Sequence, residues 1–118
     1  MFLIDTYLDK SKIHGIGVFS KENIKQKEIV TKELPQFEFH FNQNELPKMP
    51  LSFANFINKY AFESNLDKNI LILGIDNEKY INHSDEPNID EHGYAIKNIK
   101  IDDELTVDYR KIDRNYGR

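Results

Sequence analysis

Two stretches decide the fold of this chain: Asn82-His83-Ser84-Asp85-Glu86-Pro87-Asn88, and Glu104-Leu105-Thr106-Val107-Asp108-Tyr109 about twenty residues later. The first stretch contains side-chain amides, an imidazole and a hydroxyl close to one proline. The second is a β-prone run whose last two residues are an aspartate and a tyrosine. Taken singly, the first could be an Asx-type turn and the second a strand end whose tyrosine hydroxyl reaches water. Taken together they indicate a ligand site.

The composition limits the class of protein. The 118 residues predict a single domain spanning 1–118. Hydrophobic content is 39% and no apolar run approaches the roughly 20 residues that span a bilayer, so no membrane contact is expected. The start lacks a signal-peptide pattern, and the absence of cysteine excludes disulfides, thiolate zinc sites and a cysteine nucleophile; both fit a cytoplasmic location. A net charge of −4 argues against direct nucleic-acid binding and favours a basic partner.

Short β-prone segments dominate the chain, which predicts a mainly β fold with one helix. Turn signals separate seven such segments: 2–8, 12–19, 29–31, 37–41, 69–74, 94–96 and 105–107. The predicted helix carries an apolar stripe at helical spacing, formed by Phe53, Phe56, Ile57 and Tyr60.

The segment Gly15-Ile16-Gly17 has two interpretations. It could be a tight hairpin, or its two close glycines could let a ligand approach bare backbone. It is not a dinucleotide-binding fingerprint, because no third glycine and no helical pattern follow.

In this order and spacing, the motifs resemble the SET-domain family of protein lysine methyltransferases, in its compact, stand-alone bacterial and viral form. The resemblance rests on Gly15-Ile16-Gly17-Val18-Phe19, on Tyr80-Ile81-Asn82-His83-Ser84 with Pro87-Asn88, and on the segment from Asp103 to Tyr109; it spans roughly residues 8–110. It implies a SET-domain (β-clip-like) fold of several short sheets with one main helix. It also implies a C-terminal pseudoknot, and a single SET domain without pre-SET or zinc-binding post-SET modules.

The resemblance also implies an activity, transfer of a methyl group from S-adenosylmethionine to a lysine amine of a basic protein. A histone, a ribosomal protein or a DNA-organising protein could be that substrate. The attacking amine must be neutral, although free lysine has a pKa of about 10.4. Desolvation in a narrow channel and repulsion by the sulfonium both lower that pKa. Positioning rather than a strong general base is then the main requirement.

Site residues follow from matching positions. Tyr109 resembles the catalytic tyrosine of the family. Cofactor-binding positions correspond to Ile16, Gly17, Asn82 and His83. Substrate-channel positions correspond to Tyr60, Tyr80, Val107 and Tyr116. Plain core packing is the alternative for Tyr60, and no metal is implied.

The chain departs from the family pattern at three positions. Lys79 stands where an arginine is common, Asp85 where a cysteine is common, and Asp102 at the usual turn glycine. Asp102 is acceptable there because aspartate tolerates a left-handed backbone. Only nine residues follow Tyr109, so a homodimer is expected to complete the lysine channel.

Two other functions stay open from the sequence. The first is a catalytically degenerate SET module that binds peptide. The second is a metal site made of His83, Asp85, Asp90 and His92, although these have no recognised ligand spacing. A host nucleus is the alternative location if the protein acts outside the cell that makes it.

Acidic residues surround both specific motifs and have two interpretations. They could form a solvated surface, or a negative rim that attracts a lysine-rich peptide. The residues concerned are Asp85, Glu86, Asp90, Glu91, Asp102, Asp103 and Glu104.

Overall fold

A computed structural model describes residues 1–112, and its regular elements are short. The strands are β1 (Thr6–Lys10), β2 (Ile16–Ser20), β3 (Phe39–Asn42), β4 (Phe62–Glu63), β5 (Ile70–Leu73), β6 (Asn82–His83) and β7 (Thr106–Val107). The helices are α1 (Leu51–Tyr60) and α2 (Tyr109–Ile112), with 3₁₀ turns at Pro35–Phe37, Gln43–Lys48 and Asn77–Tyr80. The prediction of a mainly β chain with one main helix is confirmed.

Three small sheets organise the described residues. Strands β1 and β2 form an antiparallel hairpin, and β3, β5 and β4 form a three-stranded antiparallel sheet with β5 at its centre. Strands β6 and β7 pair in parallel. Parallel strands cannot be joined by a tight turn, so the chain between them makes a long crossover. The sheets therefore match the several short sheets predicted, while the threading of a pseudoknot stays a prediction.

Two hydrophobic clusters form the core. The larger contains Val18, Val30, Ile81, Leu105 and Val107 among its buried side chains. The smaller joins the inner face of α1 to the central strand β5, where the apolar run from Leu71 to Leu73 is buried as its sequence predicts. Burial of such aliphatic side chains is the main favourable contribution to folding.

The predicted apolar stripe of α1 is only partly correct. Ile57 is fully buried and Ala54 nearly so, whereas Phe53 and Phe56 stay about two-fifths exposed. The inward face of α1 starts at Ala54, three residues before Ile57, and the two phenylalanines lie on the neighbouring face. No helix within residues 1–112 is long and apolar enough to cross a membrane.

Some strand predictions also need correction. Segments 29–31 and 94–96 meet through isolated bridges such as Ile29 with Tyr94, and neither forms a continuous strand. Strand β6 was not predicted, because Asn82 and His83 are a polar pair without a period-two apolar pattern. Asp102 has a φ of 72°, the left-handed conformation expected at the usual turn glycine.

Candidate active site

The pairing of β6 with β7 brings the two specific motifs together. Asn82 lies opposite Thr106, and His83 lies opposite Val107. The backbone N–H of Tyr109 donates to His83 Nδ1 at 3.0 Å, and the Tyr109 hydroxyl donates to the carbonyl of Ile81. Tyr109 therefore lies beside the Asn-His segment, as one site formed from both motifs requires.

Asn88 ties the crossover to the strand that leads to Tyr109. Its Oδ1 accepts from Thr106 N at 2.9 Å, and its Nδ2 donates to Glu104 O at 2.8 Å. The side-chain amide thus hydrogen-bonds the backbone as a neighbouring strand would. This explains why an amide stands after Pro87, and the sequence motif contained Asn88 without indicating that role.

The ring of His83 is held from both sides. Because Nδ1 accepts from Tyr109 N–H, a neutral ring carries its proton on Nε2, which lies 2.9 Å from Asp85 Oδ1. The ring also packs against that of Tyr109, with centroids 5.5 Å apart. His83 therefore supports Tyr109 from behind.

Asp108 is a buried carboxylate at the start of α2. It accepts from Nε and Nη2 of Arg110, at 2.9 and 2.8 Å, and from the backbone N–H of the same residue at 3.0 Å. These bonds from Arg110 hold the pKa of Asp108 down to about 2. The turn that carries Tyr109 is thus anchored by an ionised group at neutral pH.

Asn82 connects the glycine-containing loop to the rest of the site. Its Nδ2 donates to His14 O at 3.0 Å, to Ile16 O at 3.2 Å and to Glu104 Oε2 at 2.9 Å. The two N–H groups of this buried amide serve three acceptors, so one of the hydrogens is shared between two of them. Asn82 therefore fixes the loop before β2 against β6.

The two positions of the loop are occupied by glycine for different physical reasons. Gly15 has a φ of 48°, a conformation that residues with a Cβ adopt with strain. Gly17 is buried, and a Cβ there would lie 2.4 Å from Glu104 Oε2. Close approach of the protein's own carboxylate thus requires Gly17, a constraint that the sequence did not reveal.

An open cleft of about 440 Å³ lies in front of these elements. Five of the predicted site residues line it: Ile16, Tyr60, Tyr80, Asn82 and Tyr109. Tyr60 and Tyr80 meet edge to face, with ring centroids 5.9 Å apart. Tyr60 also packs against the smaller core cluster, as its alternative interpretation predicts, and its place in a substrate channel stays a prediction.

The cleft is basic on an otherwise acidic protein. His14, Lys59 and Lys79 line it, and none of its lining residues in the described part of the chain carries a carboxylate. The Nζ atoms of Lys59 and Lys79 lie 5.2 and 5.4 Å from the ring centroids of Tyr60 and Tyr80. The cleft therefore suits a ligand with a negatively charged group and an apolar or aromatic body.

A second cavity, which we call the acidic cavity, lies behind Ile81 and Ile112. It contains Val107 and five acidic side chains, those of Glu33, Glu63, Glu78, Asp90 and Glu91, together with Lys32 and His92. A smaller pocket that includes Glu78, Ile81, Tyr109 and Ile112 shares residues with both the cleft and the acidic cavity. Tyr109 thus lines the cleft and this smaller pocket, but not the acidic cavity itself.

Not every predicted site residue lines the cleft. Gly17 and His83 support it from behind, and Val107 faces the acidic cavity. Tyr116 lies outside the described residues. Cofactor contact through Gly17 and His83, and a channel wall formed by Val107, stay predictions.

The residues of the alternative metal site do not converge on one point. His83 contacts Asp85, whereas His92 lies 3.8 Å from Glu91. In the range 1–112, no group of three or more His, Cys, Asp or Glu side chains is arranged to hold a metal ion.

Several members of the predicted acidic surface make specific bonds instead. Glu104 turns inward and accepts from Asn82 and Ser11, and Asp102 accepts from the Tyr7 hydroxyl at 2.7 Å. For Glu104, the prediction of a solvated or substrate-attracting position is wrong. A carboxylate next to a turn looks solvent-exposed in sequence, and only the fold reveals its partners.

Solved structures of known proteins share this fold. A chain from Plasmodium falciparum, described as a candidate histone methyltransferase, is 27% identical with a TM-score of 0.64, and the match covers 98% of each chain. An autoinhibited apo form of the Chaetomium thermophilum Polycomb Repressive Complex 2 is 25% identical with a TM-score of 0.70. A form of that complex bound to S-adenosylmethionine is 23% identical with a TM-score of 0.66. In both, the match covers 95% of this chain but 16% of theirs.

A search of curated proteins finds no match. The family model of the SET domain, however, matches residues 15–110. This range contains the glycine loop, β6, β7 and Tyr109. This range is most of the chain and includes all the residues that line the cleft except His14. The chain belongs to the SET-domain family.

Proposed function

We propose that this protein is an S-adenosylmethionine-dependent protein lysine N-methyltransferase in which Tyr109 is the catalytic residue. One observation carries the proposal: the Tyr109 side chain and the Asn82 amide, distant in sequence, line the same cleft. The pairing of β6 with β7 and the bond from Tyr109 N–H to His83 hold them there. Family membership supports the reaction class.

The cleft has groups that complement the parts of S-adenosylmethionine. Its volume lies within the range of about 300–1,000 Å³ that is usual for small-molecule sites. The bonds of Asn82 leave from Nδ2, so its Oδ1 can accept from the amino group of the cofactor. Lys59 and Lys79 can pair with its carboxylate, and Ile16 can contact it through backbone and side chain.

Tyr109 and its neighbours would prepare the amine for attack. When bound, the cofactor supplies an electrophilic methyl group. The Tyr109 hydroxyl donates to Ile81 O, and a hydroxyl oxygen is chemically able to accept from a substrate amine as well. Ile81 and Ile112 place apolar side chains in the smaller pocket beside Tyr109, and desolvation against them would lower the pKa of an entering lysine, in opposition to the nearby carboxyl groups.

The acidic cavity supports a basic lysine-containing substrate. The carboxyl groups of Glu33, Glu63, Asp90 and Glu91 outnumber the basic groups of Lys32 and His92 around this cavity, and this excess favours a cationic peptide by long-range attraction. A histone, a ribosomal protein or a DNA-organising protein has this charge, and the Plasmodium falciparum neighbour is described as acting on histones. The cytoplasmic location and the homodimer stay predictions.

The alternative is a degenerate module that binds peptide or cofactor without turnover. The Tyr109 hydroxyl favours turnover, because a module that only binds peptide or cofactor does not need this group. Binding without transfer is the result that would favour the alternative.

The test combines binding and turnover in one variant. Tyr109→Phe keeps the ring and removes the hydroxyl, so we expect methyl transfer to a basic peptide to fall by about 100-fold or more. Binding of S-adenosylhomocysteine, measured by calorimetry, should change little. The matched control is Tyr94→Phe, since Tyr94 is a half-exposed tyrosine away from the cleft. Equal loss in both variants, or no loss in Tyr109→Phe, would contradict the role of Tyr109.

A further inference from the structure

The Glu104 carboxylate joins segments that are far apart in sequence. Its Oε2 accepts from Asn82 Nδ2 at 2.9 Å, and both of its oxygens lie within 2.9 Å of Ser11 Oγ. The same carboxylate occupies the space that a Cβ of residue 17 would fill. One side chain thus contacts the start of the glycine loop, its end, and strand β6.

The backbone of Glu104 is itself firmly placed. Its carbonyl accepts from Asn88 Nδ2 at 2.8 Å, and the residue forms an antiparallel bridge with Phe19. The next residue, Leu105, donates its N–H to Val18 O at 2.7 Å. Strand β7 and Tyr109 follow directly, so the carboxylate is held in a fixed position relative to the catalytic segment.

A carboxylate sets the direction of every hydrogen bond around it. An ionised carboxylate only accepts, so the Asn82 amide must turn its nitrogen toward Glu104. That nitrogen also donates to His14 O and Ile16 O, and the amide oxygen is thereby directed away from all three acceptors. Ser11 must likewise donate to Glu104, which leaves its oxygen to accept from the backbone N–H groups of Ile13 and His14, at 2.9 and 3.2 Å.

We propose that Glu104 is the positioning residue of the cleft, orienting the Asn82 amide and closing the 11–17 loop so that both can bind S-adenosylmethionine. The inference rests on the proposed function, since it assigns a role toward that cofactor. Glu104 does not line the cleft and acts only through Asn82 and the loop.

The test removes the charge of Glu104 and one of its two accepting oxygens with little change in shape. In Glu104→Gln a single carbonyl oxygen must serve both Asn82 and Ser11, and an NH2 donor takes the place of the other oxygen. We expect the Kd for S-adenosylhomocysteine and the KM for S-adenosylmethionine to rise about tenfold, because the partly buried hydrogen bond from Asn82 loses its charged acceptor. The KM for the peptide should stay unchanged. General destabilisation of the fold would not raise the KM for the cofactor alone.

Two further variants keep the result interpretable. Ser11→Ala removes one partner of Glu104 and should raise the same Kd by a smaller factor. Asp103→Asn is the matched control, because this neighbouring carboxylate accepts from Lys100 N in a turn and does not contact the loop. Its Kd should equal that of the unaltered chain.

A paired substitution tests the packing without any cofactor. Gly17→Ala should lower Tm in the unaltered chain, because the new methyl group would meet Glu104. The same change should lower Tm much less in a Glu104→Ala background, where that space is free. Equal losses in both backgrounds would overturn the close approach of Glu104 to residue 17.

The possible failures are distinct. If the unaltered chain binds S-adenosylhomocysteine and Glu104→Gln binds it equally well, the role of Glu104 is overturned and the proposed function stands. If the unaltered chain binds none, the proposed function fails, and the role of Glu104 toward the cofactor fails with it.

Discussion

The two openings, the cleft and the acidic cavity, differ in charge, although both lie on a protein of net charge −4. The cleft is lined by His14, Lys59 and Lys79, and the acidic cavity by five carboxyl side chains together with Lys32 and His92. Basic groups thus predominate in the first opening and acidic groups in the second. Under the proposed function, this difference would direct the methyl donor to the cleft and the basic peptide to the acidic cavity.

Of the changes in charge, removal of the positive charge from the cleft should have the largest effect on the kinetics. In the double variant Lys59→Met and Lys79→Met, we expect the KM for S-adenosylmethionine to rise about tenfold, because two groups that face its carboxylate are lost. The KM for the peptide should not change, as measured by initial-rate kinetics. Lys48→Met is the control, since Lys48 pairs with Glu45 away from the cleft. A rise in the peptide KM alone would reverse the assignment of the two openings.

Neutralising the acidic cavity should have a smaller effect. Glu63→Gln with Glu91→Gln is expected to raise the KM for a basic peptide about threefold at low salt, and less at high salt because ions screen exposed charges. The KM for S-adenosylmethionine should stay constant. Glu45→Gln, on the exposed 3₁₀ turn, serves as the control. If the KM for the peptide changes neither with the substitutions nor with the salt concentration, the charge of the acidic cavity does not contribute to substrate selection.

The carboxyl group of Glu78, which lines both the acidic cavity and the smaller pocket, should make the free energy of unfolding depend on pH. Burial raises the pKa of Glu78 to about 7 from its ordinary 4.5; the carboxylates of Asp76 and Glu38 add to the rise, and the α-amine of Met1 opposes it. Because the folded pKa is raised, this stabilisation is complete below about pH 4.5 and is lost as the pH rises toward 7.

Glu78→Gln imitates the protonated group at every pH. We expect it to flatten the fall in Tm between pH 4.5 and 7 and to keep Tm about 5 °C higher at pH 8, as measured by calorimetry. Glu45→Gln should leave the pH profile unaltered. A profile in Glu78→Gln as steep as that of the unaltered chain would show that another group is responsible.

The meeting of Asn82 with Tyr109 could be predicted from sequence, because both belong to motifs whose order and spacing are specific. The left-handed turn at Asp102 could be predicted for the same reason, since the motif places a turn there. The burial of Leu71 to Leu73 followed from an uninterrupted apolar run. The last two inferences need only a few neighbouring residues, whereas the first depends on the order and spacing of two separate motifs.

The features that sequence reasoning missed depend on contacts between distant residues. Glu104 has the sequence environment of a solvated turn, and its role depends on Asn82 and Ser11, each more than twenty residues away. Phe53 and Phe56 fit a helical stripe, but the orientation of α1 is set by its packing through Ile57 against β5. The charge difference between the openings likewise involves residues from at least four separate segments.

The most direct test of the account is mass spectrometry of a basic peptide after incubation with isotopically labelled S-adenosylmethionine and the unaltered chain. The account predicts labelled methyl groups on lysine side-chain amines, and almost none when Tyr109→Phe replaces the unaltered chain. Binding of S-adenosylhomocysteine without any labelled lysine, across histone, ribosomal and DNA-organising protein peptides, would contradict it.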